Sequence, residues 1–79
     1  MHNIKYDKEL DTSGLLCPWP LAQTKQILAQ LSSGQILHVI STDPSSILDF
    51  KVFLAKTQQH TLIDHYQNKG KYYYFIKKN

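Results

Sequence analysis

A chain of 79 residues with one cysteine must hold its core without an intramolecular disulfide, and has room for a single domain spanning residues 1–79. A hydrophobic content of 42% with 19% charged residues excludes a disordered tail. The longest stretch without formal charge, residues 26–42, carries three glutamines and a histidine, which excludes a membrane span. The net charge of +3 is spread along the chain, with only Lys69, Lys71, Lys77 and Lys78 loosely grouped. That pattern reads as a solvated surface, and direct nucleic-acid binding is disfavoured for want of a dense basic stripe.

Along the chain, "IKYDKELD" (residues 4–11) has strand alternation, with Ile4, Tyr6 and Leu10 on one face and Lys5, Asp7 and Glu9 on the other. Lys8 is the misfit on the apolar side. The cluster "DTSG" then predicts a turn. From Pro18 to Leu31, Leu21, Thr24, Leu28 and Leu31 recur at helical spacing and Ile27 widens the stripe. Pro18 and Pro20 suit the first turn, whose N–H groups have no intrahelical acceptor. Gly34 is the expected left-handed cap.

"QILHVIST" (35–42) reads as a mostly buried strand. Asp43 and Pro44 predict the cap and first position of a second helix, with Ile47, Phe50, Phe53 and Leu54 on its apolar face. "TLIDHYQ" and "KYYYFIKK" follow as two strands joined at "NKG". The order βαβαββ predicts an α+β fold: a two-layer α/β sandwich, a four-stranded mixed sheet with both helices on one face. The charged side of the first strand belongs on the uncovered face.

Cys17 stands just before the first helix, where unpaired N–H groups and the helix dipole favour negative charge. With the prolines lacking N–H groups, the amides of Trp19 and Leu21 remain as donors, so the expected thiol is more acidic than the free value of about 8.5. Against this stands the frequency with which free cysteines are simply buried. No Cys-x-x-Cys is present, which excludes dithiol exchange within the chain. A Cys–His nucleophile pair would find little room for a substrate cleft in so small a chain. A single sulfur suits another task, carrying sulfur as a persulfide, because no neighbouring thiol can attack the persulfide and discharge it as sulfide. The N-terminal "MHNIKYDKEL" has no apolar signal core, and a lone thiol without one fits a cytoplasmic location.

Trp19 reads either as an exposed anchor for a partner or as packing against the sheet edge. Lys25 reads as an ordinary helix lysine or as an attraction for an anionic partner. Asp11 and Asp43 have turn and cap hydrogen bonds as their simplest roles. His60 and His65, five apart, should lie on opposite faces of one strand, so no metal site is assigned. Alternation should likewise split Tyr72, Tyr73, Tyr74 and Phe75 between two faces, which favours sheet packing over base stacking.

Together, "LDTSGLLCPWPLAQTKQIL" resembles the signature of the TusA/SirA family of small sulfur carriers, through Asp11, Gly14, Leu15, Cys17, Pro18, Pro20 and Lys25. The resemblance runs on through Gly34, Thr42-Asp43-Pro44, Asp49, Phe50, Phe53, His60, Leu62 and the closing "FIKK". Ser13 stands where a longer residue is frequent, Gln59 where glycine is common, and the Asp49-to-His60 interval is one residue longer. The resemblance implies the same βαβαββ sandwich and a cysteine that accepts sulfur from a cysteine desulfurase or rhodanese-like donor. It implies delivery to a downstream acceptor protein, in the best-known branch for 2-thiolation of a tRNA wobble uridine. On this reading Cys17 bears the sulfur, Asp11, Gly14, Pro18 and Pro20 shape its loop, and Trp19 and Lys25 meet partners. No cofactor is expected. The chain would be a sulfurtransferase-type carrier rather than a stand-alone multiple-turnover enzyme. The competing reading is a regulatory or protein-interaction domain of the same fold with an incidental thiol.

Overall fold

The computed structural model describes residues 4–79. Its elements are β1 (Lys8–Thr12), α1 (Trp19–Gln30), β2 (Ile36–Ser41), α2 (Ser46–Lys56), β3 (His60–Asn68) and β4 (Lys71–Lys78). The four strands form one mixed sheet in the order β1-β2-β4-β3. β1 runs parallel to β2, while β4 is antiparallel to both β2 and β3. The expected βαβαββ α+β sandwich is therefore the fold.

The helices cover the face that carries Leu37 and Val39 of β2 and Tyr74 and Ile76 of β4. With Leu28 of α1 and Phe50 of α2 these side chains form the fully buried core. Leu21, Ile27 and Leu31, and Ile47, Phe53 and Leu54, extend it from the two helices, as the helical spacing requires. Phe50 stacks on Tyr74 with ring centroids 4.4 Å apart. The Tyr74 hydroxyl, deep in the core, is satisfied by Ser46 Oγ at 2.7 Å.

The β3–β4 connection is the two-residue turn that "NKG" predicts. Lys69 (φ 51°) and Gly70 (φ 79°) both adopt positive φ, the backbone whose twist matches a tight hairpin.

Four local expectations are corrected. β1 begins at Lys8, and Tyr6, expected beside Leu10, instead lies against the uncovered face, 4.8 Å from the His38 ring. The chain leaves strand alternation at Asp7, whose N–H donates to the Ile36 carbonyl and whose carboxylate accepts the Ile36 N–H. Gly34 has φ 89° but does not cap α1, which ends at an extended Leu31; the Gly34 N–H donates to the Lys78 carbonyl at 2.6 Å. α2 starts at Ser46, two residues after Pro44, because Asp43–Ser46 forms a separate turn closed by the Ser46 N–H on the Asp43 carbonyl.

The fourth correction concerns β3. A bulge between Leu62 and Asp64 pairs Leu62 with Ile76 and Asp64 with the next residue back, Phe75. The inserted residue, Ile63, is exposed. His60 opposite Lys78 and His65 opposite Tyr74 consequently share the helix side of the sheet rather than opposite faces.

The uncovered face carries Glu9, as expected, with Asp11 beside it, and also a layer of rings. His38 stacks on Phe75 (4.5 Å) and near Tyr73 (5.8 Å), and Tyr66 stacks on Tyr73 (4.6 Å). Tyr6 partly roofs this layer, so His38 and Phe75 are buried although no helix covers them.

Candidate functional site

The site lies at the end of the sheet where β1 and β2 stop and both helices begin. The turn after β1 is built as its sequence predicts. Asp11 Oδ1 accepts the Ser13 N–H at 2.9 Å, and the Leu15 N–H closes on the Thr12 carbonyl at 3.0 Å. Gly14 has φ 86°, a conformation that disfavours a Cβ, and donates its N–H to Thr42 Oγ1 at 2.9 Å. This bond ties the loop to the end of β2.

Cys17 follows, exposed, and joined to Pro18 by a cis peptide bond. Pro18 is the N-cap residue of α1 and Pro20 lies buried in its first turn. Thus the prolines occupy the start of the helix, as expected, one residue further out than a first-turn pair. Leu16 and Trp19, either side of this segment, and Leu48 of α2 are 66%, 60% and 67% exposed, so Trp19 does not pack against the sheet edge. Lys25 is also not a free helix lysine: its Nζ sits 4.9 Å over the Phe53 ring, linking α1 to α2.

Asp43 organises the site from the other crossover. Its Oδ2 accepts the Cys17 N–H at 2.7 Å and the Ser45 hydroxyl at 2.8 Å, and its Oδ1 accepts the Ser45 N–H at 3.0 Å. These donors, the Ser45 backbone first, then its hydroxyl, with Cys17 adding to them, hold the Asp43 carboxyl below the usual aspartate range. Asp43 thus does more than start a helix. It clamps the cysteine loop to the entry of α2.

The electrostatics reverse the expectation of an acidic thiol. Hydrogen bonding to the Asp49 carboxylate, then desolvation, then the charges of Asp49 and Asp43 push the Cys17 thiol above its ordinary value. The Ser45 hydroxyl opposes this without overcoming it. The helix-start argument counted the positive end of α1 and missed two carboxylates arriving with α2. Asp49 and Ser45 were therefore the residues that motif reading under-used. The available signal was Asp49's place in the first turn of a helix whose start shares the thiol end of the sheet.

Between the helices, Leu21 and Lys25 of α1 and Leu48, Asp49, Val52 and Phe53 of α2 line an open groove. No helix among the described residues is long and apolar enough to cross a membrane.

Fold and site together define a small α+β domain that displays one cysteine between two helix starts, with exposed apolar side chains beside it in sequence. Residues 8–78 match the family model for "Sulfurtransferase TusA". The chain is 47% identical to the sulfur carrier protein TusA of Allochromatium vinosum over 94% of this chain and 96% of that one. It is 42% identical to the TusA sulfur carrier of Pseudomonas fluorescens, over 92% and 87%. It is also 40% identical to a putative sulfur carrier protein of Aquifex aeolicus, across 99% of this chain but 39% of that longer protein. The chain belongs to the TusA family, and its role is that of a sulfur carrier, a role that implies a sulfur donor and an acceptor.

Proposed function

We propose that Cys17 is the atom-bearing residue of this carrier. In the loading step its sulfur attacks the terminal sulfur of a donor persulfide. A new S–S bond forms at Cys17, the donor's S–S bond breaks, and the leaving donor thiolate takes the proton that Cys17 gives up. Sulfane sulfur moves without net oxidation. Unloading repeats the exchange with an acceptor thiol as the attacking group.

The observation that carries this reading is the exposed Cys17, clamped through its own N–H by Asp43 and flanked in sequence by the exposed apolar side chains of Leu16 and Trp19. A fixed, accessible sulfur beside exposed apolar side chains suits docking of a second protein. Asp11 and Gly14 set the turn before it, Pro18 and Pro20 set the helix after it, and Trp19 and Lys25 belong to the docking surface. The donor is a cysteine desulfurase or rhodanese-like protein, and the acceptor is a relay protein serving tRNA 2-thiouridine synthesis. The protein works as a single carrier domain in the cytoplasm, where a lone exposed thiol stays reduced.

Incubation with a cysteine desulfurase, cysteine and pyridoxal phosphate should add one sulfur atom to the intact mass, located at Cys17 by peptide mapping. Cys17→Ser should take up none. A Cys17→Ser protein that retains full biological activity would overturn the proposal in favour of an interaction domain with an incidental thiol.

A further inference from the structure

The parallel ladder between β1 and β2 ends at Thr12 opposite Ser41, just before the loop that carries the thiol. Beyond it, the side chains of Ser41, Thr42 and Asp43 take over as acceptors. The buried Ser41 Oγ accepts the Asp43 N–H at 3.1 Å, Thr42 Oγ1 accepts the Gly14 N–H at 2.9 Å, and Asp43 Oδ2 accepts the Cys17 N–H at 2.7 Å. One short run of chain thus fixes its own backbone and grips the cysteine loop at two points three residues apart. The N–H groups on either side of Gly14 close within β1 and its turn, Ser13 on the Asp11 carboxylate and Leu15 on the Thr12 carbonyl. Of these three neighbouring N–H bonds, only that of Gly14 reaches across to the end of β2.

Gly14 is also the loosest residue of the loop. Its φ of 86° is a demand of the turn and not of crowding, since a Cβ there would meet nothing within 4 Å. A glycine in open space has more backbone freedom to lose than any other residue, so a bond from outside the loop is what keeps it in one conformation. The Asp43 bond alone would fix a point at the Cys17 amide and leave the segment before it free to swing. A second bond three residues earlier removes that swing.

We propose that Thr42 is a positioning residue for sulfur transfer: by holding the Gly14 N–H it fixes the direction in which the Cys17 loop presents its sulfur to a docked donor. The proposal rests on reading Cys17 as the sulfur-bearing residue. Exchange between sulfurs needs the attacking atom in line with the bond that breaks, and a misplacement of about 1 Å can cost on the order of 100-fold in rate. Loss of one anchor from a loop still held by Asp43 costs less, about 3–10-fold.

The test compares the parent chain with Thr42→Val, which keeps the branched shape and removes the acceptor, and Thr42→Ser, which keeps the hydroxyl. Each is measured in single-turnover loading from a persulfidated cysteine desulfurase over a range of donor concentrations. Each is also alkylated at Cys17 with iodoacetamide, a small reagent that needs no docked geometry. Thr42→Val should load about 3–10-fold more slowly at saturating donor and exchange its Gly14 amide about 3–10-fold faster, yet alkylate within about twofold of the parent. Thr42→Ser should restore both loading and amide exchange. Loading of Thr42→Val at the parental rate would overturn the proposal. So would a Thr42→Ser chain as slow as Thr42→Val, or a loading defect matched by an equal fall in alkylation. A parent chain that takes up no sulfur at Cys17 would bring down the carrier reading and this role with it, whereas a parent and a Thr42→Val chain that load alike would strike the positioning role alone.

Discussion

Replacing Asp43 tests whether the sulfur loop is held by a residue from the other crossover. Three donors converge on this carboxylate, the Cys17 N–H at 2.7 Å, the Ser45 hydroxyl at 2.8 Å and the Ser45 N–H at 3.0 Å, and the residue is only 6% exposed. Hydrogen bonds to a charged group contribute about 1.5–3 kcal/mol each when buried, less where water can substitute. Asparagine offers one acceptor oxygen, so at least one donor must face an amide NH2. Alanine removes all three acceptor contacts. The expected destabilisation is about 1–2 kcal/mol for Asp43→Asn and about 2–4 kcal/mol for Asp43→Ala, read by urea unfolding. At roughly 4–8 °C per kcal/mol for a chain of this size, the alanine variant should melt about 8–30 °C lower. Amide exchange at Cys17 and Ser45 should accelerate in both variants more than exchange in β4, because the clamp is local. An Asp43→Ala protein within about 0.5 kcal/mol of the parent, with Cys17 amide exchange unchanged, would refute the clamp.

Phe50→Ala removes a fully buried ring stacked on Tyr74 and should cost about 3–5 kcal/mol, a large share of the stability of so small a domain, measured by denaturant titration. Trp19→Ala should leave the unfolding midpoint within about 0.5 kcal/mol, since the side chain is 60% exposed, while slowing sulfur transfer from a donor protein in a loading assay. Acid should weaken the fold through Asp43 and Asp11, whose carboxyls are depressed by their bonds to Ser45 and Ser13 respectively. A depressed carboxyl stabilises the fold above its unfolded value and loses that contribution as pH falls through its folded value. The loss should therefore begin below about pH 4 and be smaller in Asp43→Asn, as followed by urea midpoints across that range.

Periodicity made the architecture legible because each element buries a regular stripe. Leu28 and Phe50 fall on the helix faces their spacing assigns, and Leu37, Val39, Tyr74 and Ile76 alternate into the same layer. Turn chemistry was readable wherever it is local: Asp11 accepts from Ser13, and Gly14, Lys69 and Gly70 take the positive φ their turns require. What escaped was set by distance along the chain. The bulge at Ile63 moves His65 to the face of His60, and only the pairing partner strand reveals such an insertion. Tyr6 lies against His38 and Phe75 rather than beside Leu10, a contact set by residues 32 and 69 positions further along the chain. At the site, Cys17 and its loop were readable from their own residues, whereas the Asp49 carboxylate lies 32 positions later in the numbering. A helix-start argument applied to one helix could not register the charge arriving with the other.

The bond from the Cys17 amide to Asp43 also has a bearing on biosynthesis. Until the ribosome has released β2 and the start of α2, the thiol of a growing chain has neither its clamp nor its carboxylate neighbour. A nascent or truncated polypeptide therefore exposes the cysteine without the loop geometry that β2 and the start of α2 impose on it.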